Sequence, residues 1–249
     1  MSLLQTERLT KAFGALVAVS DVSLRVEPGT LHSVIGPNGA GKTTLFNLLT
    51  GQHAPTSGRI IYDGHDIAGT TPPRIAHLGI ARSFQRTNVF PALSVLQNVW
   101  VAAFARHSWR GLAWRPARGY PELQARAMTA LGEVGLEDKA GHPAREISHG
   151  EQRQLELAIA LAAMPRLLLL DEPAAGLSPD ETRKMVQLVR GLKGRYTIVL
   201  VEHKMDVIMT ISDRISVMHF GRVIAEGTPA EIQRNPEVRR AYLGGIAPS

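Results

Sequence analysis

A glycine-rich turn set between two apolar runs constrains this chain more than any other feature. Ser33-Val34-Ile35 lead into Gly36-Pro37-Asn38-Gly39-Ala40-Gly41-Lys42-Thr43, which is followed by Thr44 and then Leu45-Phe46-Asn47-Leu48-Leu49. That order predicts a buried strand, a tight turn and a helix, the setting in which such a turn grips phosphate. Glycine lets the N–H groups of Gly36, Asn38, Gly39, Ala40 and Gly41 curl around an anion, and the new helix adds the unpaired N–H groups up to Thr44. Lys42 then neutralises the outer phosphates, and the Thr43 hydroxyl is placed for a magnesium ion. A plain glycine-rich turn explains Gly39 and Gly41 but not Lys-Thr at the helix entrance.

The chain of 249 residues suits one large α/β domain with an attached subdomain, or two closely packed lobes. No apolar stretch reaches the roughly 18 residues of a membrane-spanning helix. The N-terminus shows no extended apolar segment before a cleavage site, so export is not expected. Without cysteine, disulfides and thiolate metal sites are excluded. The net charge of +6 is compatible with anionic partners. Arg106, Arg110, Arg115 and Arg118, interspersed with His107, Trp109 and Trp114, concentrate that charge. The interval 106–118 reads as a solvated insertion, a contact to a partner or membrane-proximal surface, or a nucleic-acid contact.

Strands are expected at residues 3–9, at 22–26 with an alternating half-buried pattern, at 31–35 as a central strand, and at 58–64. Residues from about 86 to 140 read as helical. Ser94 and Gln97 form a reciprocal cap, and Leu123, Ala127, Ala130, Leu131 and Val134 share one helical face. Ser148 caps a helix with Glu151 that ends before Pro165, and Ser178-Pro179 opens another that Glu181 completes. Residues 167–170 and 197–201 read as buried strands that deliver Asp171-Glu172 and Glu202-His203 at their ends.

Those strand ends carry the rest of the chemistry. Asp171 can hold magnesium directly or through water, and Glu172 can position and activate a water near the terminal phosphate. Alone, two acids at a strand end are also ordinary surface or capping groups; beside a phosphate cradle they fill its missing tasks. Gln85 can bring its amide oxygen to magnesium or its water shell. His203 can bond the terminal phosphate and align the attacking water without being the general base. Phe13 reads either as a stacking platform for adenine or as core packing.

Together these motifs, in this order, resemble the ATP-binding cassette (ABC) ATPases over residues 3–244. Ile147-Ser148-His149-Gly150-Glu151 resembles the family signature, with His149 and Glu151 where the commonest pattern has Gly and Gln. Ala174-Ala175-Gly176-Leu177-Ser178-Pro179 resembles the segment that communicates between paired sites, with Ser178 in place of the usual Asp. The resemblance implies a P-loop nucleotide-binding α/β core with an antiparallel β subdomain and an inserted helical subdomain near 86–163, residues 1–249 forming one nucleotide-binding domain. It also implies ATP/ADP with Mg2+ as ligands, and cassettes paired head to tail. Ser148 and Gly150 of one cassette would then face the nucleotide of the other.

Thr87-Asn88-Val89-Phe90-Pro91 with the basic and aromatic insertion after it, Pro173-Ala174-Ala175-Gly176-Leu177, Ala225-Glu226-Gly227-Thr228-Pro229 and Val238-Arg239-Arg240-Ala241-Tyr242-Leu243-Gly244 are together similar to the first of two ATPase subunits in branched-chain amino-acid importers. That implies an ATPase driving import of branched-chain or other hydrophobic amino acids from the cytoplasmic face of a bacterial inner membrane. Its partners would be a second, homologous cassette or a second copy, two permease subunits and, indirectly, an external solute-binding protein. No amino acid binds this chain in that reading. An importer of urea or another small polar solute is the nearer alternative. A soluble ABC ATPase acting on nucleic acid or ribosomes is the further one, and GTPase or small-molecule kinase activity does not explain Ser148-Gly150 together with His203.

Overall fold

The computed structural model describes residues 2–83, 89–105 and 120–243. In chain order the strands are β1 (Leu4–Phe13), β2 (Leu16–Val26), β3 (Leu31–Ile35), β4 (Ser57–Tyr62), β5 (His65–Asp66), β6 (Ile80–Ser83), β7 (Leu167–Asp171), β8 (Thr197–Val201), β9 (Arg214–His219) and β10 (Arg222–Gly227). The helices are α1 (Lys42–Leu49), α2 (Pro72–Leu78), α3 (Val95–Ala105), α4 (Pro121–Val134), α5 (His149–Ala162), α6 (Pro179–Leu192), α7 (Met205–Ile211), α8 (Pro229–Arg234) and α9 (Pro236–Leu243). They build two sheets and a helical subdomain, the α/β arrangement that the resemblance implies.

One sheet runs β2-β1-β4-β5 and is antiparallel throughout. The other runs β10-β9-β3-β8-β7-β6; its pairs are parallel except for the β9–β10 hairpin at one edge. Every residue of β3, β7 and β8 is buried. They are mostly apolar because they are covered on both faces, with His32, Ser33, Asp171 and Thr197 as buried polar exceptions. Leu168, Leu170, Ile198 and Leu200 pack toward α3, α4, α5 and α6, whereas Leu167, Leu169, Val199 and Val201 pack toward α1, β1 and β2.

The structure lengthens the first two expected strands, to Phe13 and back to Leu16. Register shifts between Thr6 and Ala12 break the even alternation that would have marked them. The α4 face is buried at Leu123, Ala127, Ala130, Leu131 and Val134. Against α3 and α5 it makes the helical layer, and Ser94 with Gln97 exchanges the expected pair of bonds at the start of α3. Capping boxes at Ser148/Glu151 and Ser178/Glu181 set where α5 and α6 begin, and an unanticipated third, Thr228/Glu231, starts α8. Such caps are worth about 1 kcal/mol each. The interval 106–118 and Gln85 lie outside the described residues. No helix among those described is long and apolar enough to cross a membrane.

Candidate nucleotide site

The phosphate loop leaves the carboxyl end of β3, where open parallel sheets place their ligands. Two of its glycines are required by close approach. A Cβ on Gly36 (φ 154°) would lie 2.2 Å from the Met218 carbonyl oxygen of β9, and one on Gly41 (φ 100°) 2.3 Å from that of Ala18 in β2. Neighbouring backbone thus presses the loop from behind. The β9–β10 turn adds a bond from Gly221 N–H to the Ala40 carbonyl at 3.0 Å.

Helix α1 begins at Lys42 with no side-chain cap and no acid in its first turn, in contrast to α5, α6 and α8. No side chain of the helix's own start therefore serves its first N–H groups, and Asn38, Gly39 and Thr43 beside them are exposed. Thr44 is half-buried. Lys42 is buried, and its ammonium folds back to donate to the carbonyls of Gly36 (2.7 Å) and Pro37 (3.0 Å). Burial lowers the Lys42 pKa from its usual 10.5, while Glu172 and Asp171 push the other way. Those opposing pulls place both carboxylates in the field of this lysine.

Asp171, the last residue of β7, is 2 % exposed. Its Oδ2 accepts from an Arg82 Nη at 2.6 Å, and the other Nη of Arg82 donates to Asn47 Oδ1 at 2.7 Å. Removing one partner of so buried a pair costs about 3–5 kcal/mol. Sequence reasoning gave Arg82 no role. A charge inside the short strand Ile80-Ala81-Arg82-Ser83 was the available signal, since a buried charge needs a partner inside.

Glu172 turns away from β7 in a left-handed conformation, φ 51°, and its N–H donates to the Val201 carbonyl at 2.8 Å. A non-glycine residue held there signals strain typical of functional sites. His203 Nδ1 lies 3.8 Å from Glu172 Oε1, with its ring 55 % exposed. Beneath it, Glu202 is buried and accepts from three backbone N–H groups: Ala174 at 3.3 Å, His203 at 2.9 Å and Lys204 at 3.3 Å. Lys204 Nζ donates to the Ala174 carbonyl at 3.3 Å and to Thr182 Oγ1 at 3.1 Å. The segment from Glu172 to Ser178 is thereby tied to the His203 turn, an arrangement that no local pattern announces.

Three expected residues stand apart from this cluster. Phe13 ends β1 at 43 % exposure, outside the core, edge-on to His53 with centroids 5.3 Å apart. Ser148 and Gly150 line a different cavity with Gly135, Leu177 and Glu181. There Gly150 N–H donates to the Glu181 carboxylate, which is held below its usual pKa mainly by its bonds from Ser178.

The chemistry of the donors fits a nucleotide triphosphate and a hard cation. A glycine cradle, an uncapped helix start and a buried ammonium suit phosphate. Among the described residues no group of three or more His, Cys, Asp or Glu side chains is gathered for a metal. A cation with few protein oxygens, such as Thr43 and Asp171 offer, takes the rest of its shell from phosphate and water.

Comparison with known proteins agrees with this geometry. Residues 19–175 match the ABC transporter family, and residues 222–247 match the family described as branched-chain amino acid ATP-binding cassette transporter. The high-affinity branched-chain amino acid transport ATP-binding protein LivG of Escherichia coli K12 is 42 % identical, over 97 % of this chain and 98 % of its own. BraF of Pseudomonas aeruginosa, of the same description, is 42 % identical with the same coverage. A crystal structure of an ATP-binding cassette from an ABC transporter, in its ADP conformation, superposes with TM-score 0.87 at 30 % identity, over 98 % of this chain and 99 % of that one. A dimeric bacterial ABC transporter cassette gives 0.78 at 26 % identity, over 91 % and 98 %. The chain therefore belongs to the ABC transporter family, as an ATP-hydrolysing subunit.

Proposed function

We propose that this ATPase powers import of branched-chain or other hydrophobic amino acids, the solute being bound by other subunits. The observation carrying the solute class is the match of its C-terminal residues 222–247 to the branched-chain cassette family, added to near full-length relatedness to LivG. In this reading residues 1–249 act as one nucleotide-binding unit with a helical arm near 86–163; its surface around Gln85 and Val89 to Trp100 meets one of two permease subunits at the cytoplasmic face of the membrane. A second cassette, homologous or identical, completes the pair, and an external solute-binding protein acts indirectly.

The same reading assigns roles to the site residues. Phe13, half-exposed at the end of β1, offers a face for adenine. The N–H groups of Gly36 and residues 38–44 bind the phosphates, and Lys42 leaves its loop carbonyls to meet them. Thr43, Asp171 and Gln85 would hold a magnesium ion, which when bound would supply positive charge to the phosphate oxygens. Glu172 takes a proton from the attacking water, and His203 keeps that water and the terminal phosphate aligned. Ser148 and Gly150 serve the nucleotide of the facing cassette, for which the Glu181 carboxylate must turn aside from Gly150.

The test is uptake of radiolabelled leucine, isoleucine and valine into proteoliposomes holding the cognate permeases and binding protein, with urea and methionine alongside. Glu172→Gln should retain ATP binding and lose hydrolysis by roughly a hundredfold or more, the scale of removing a general base. Equal turnover in variant and parent rejects the role of Glu172, and uptake of urea alone rejects the solute class.

A further inference from the structure

We propose that Arg82 is a positioning residue of the ATP site, tying Asp171, one of the oxygens that receive the divalent cation, to the helix that carries another, Thr43. The inference rests on the site reading above and adds a residue to it. Arg82 sits in β6 opposite Leu169 of β7, so Asp171, two residues on, lies on the same face of the sheet. One end of the guanidinium fork donates to Asp171 Oδ2 at 2.6 Å. The other donates to Asn47 Oδ1 at 2.7 Å. Asn47 stands four residues after Thr43, one turn along α1 and on the same side of that helix. A single planar group therefore spans from the carboxylate of β7 to the helix that carries the Thr43 hydroxyl.

The fork is held firmly. The Arg82 side chain is 9 % exposed and that of Asp171 is 0 %. The guanidinium lies 5.5 Å from the centre of the buried Phe46 ring, also on α1. Arginine's geometry lets it serve two acceptors at once, which a lysine ammonium cannot do with the same rigidity. Arg82 also lines the groove between the core and the helical layer, with Ile75, Ala102, Ile159 and Ala163. Among the described residues its buried Nε has no hydrogen-bond partner, and its two Nη groups carry the connection.

An outer partner that orients a metal-binding carboxylate alters metal affinity when removed, typically by about ten- to a hundredfold. The experiment follows anisotropy of a fluorescent, non-hydrolysable ATP analogue on the full chain, first in EDTA and then across a MgCl2 titration. Arg82→Met should raise the half-saturating Mg2+ concentration by roughly tenfold or more, while affinity in EDTA stays within about twofold. Arg82→Lys and Asn47→Ala each leave part of the span and should give smaller shifts in the same direction. They also carry the test if Arg82→Met does not fold. Unchanged Mg2+ half-saturation in the variants overturns the proposal, and so does an equal loss of affinity in EDTA and Mg2+, which would mean general damage. A parent chain whose nucleotide binding ignores Mg2+ overturns the site reading itself, and this inference with it.

Discussion

Glu202→Gln should loosen the His203 turn and the Glu172–Ser178 segment together. Three backbone N–H groups converge on the Glu202 carboxylate, at 2.9, 3.3 and 3.3 Å. Hydrogen bonds to a charged acceptor contribute about 1.5–3 kcal/mol each, and the two longer ones argue for the lower figure, giving roughly 4–5 kcal/mol in all. A glutamine amide keeps one acceptor oxygen and turns an NH2 toward donors. At best two neutral bonds of about 1 kcal/mol survive, so the loss is about 2–3 kcal/mol. For a chain of this size that lowers Tm by roughly 5–10 °C. Differential scanning fluorimetry reads it directly, and ATP turnover in the assembled transporter should fall with it, because His203 and Glu172 lose a shared support. A Tm within about 1 °C of the parent's, with unchanged turnover, would refute the premise that this buried carboxylate organises the site.

Two further perturbations test the frame. His32 is buried with Nε2 2.8 Å from Ser216 Oγ, whose own hydrogen goes to Glu226 Oε2 at 3.2 Å; Nε2 must then be the protonated nitrogen. Burial lowers the His32 pKa below 6.5, Glu226 opposing and Arg214 adding to the shift. As pH falls below 6.5 the unfolded chain takes up a proton that the native chain resists. Stability should then drop by up to about 1.4 kcal/mol per pH unit until the folded pKa is reached, and His32→Gln should flatten that slope in urea melts. Parallel parent and variant profiles would remove His32 as the cause. Gly36→Ala should cost about 3 kcal/mol, because its Cβ would meet the fixed Met218 carbonyl. Gly39→Ala, where nothing lies within 4 Å, should cost only the left-handed strain of about 1–2 kcal/mol. Equal Tm losses would show that loop conformation, not close approach, sets the requirement.

Local chemistry made much of this molecule legible. The strand–turn–helix around Lys42, the helix starts at Ser94, Ser148 and Ser178, and the buried runs before Asp171 and Glu202 each depend on neighbours in sequence. The α4 face was readable because a helix repeats its contacts every turn. What escaped depends on pairing across the fold. Arg82 meets Asp171 across 89 residues, and Glu202 collects the Ala174 N–H only because β8 lies beside β7. The β9–β10 hairpin turns at His219-Phe220-Gly221, where Phe220 takes a φ of 44° and is 81 % exposed, so no ordinary turn pair marks it. The early part of β2 also eludes pattern reading, since Leu16 and Val17 are exposed on a strand edge.

The order β3-β8-β7 has a mechanical corollary. With adjacent strands about 4.8 Å apart, the turn after β3 and the acid at the tip of β7 are spaced by a ladder of main-chain bonds, at roughly 10 Å. That gauge owes little to side chains. Side chains elsewhere on the fold can therefore change without resetting the distance between the phosphate loop and Asp171.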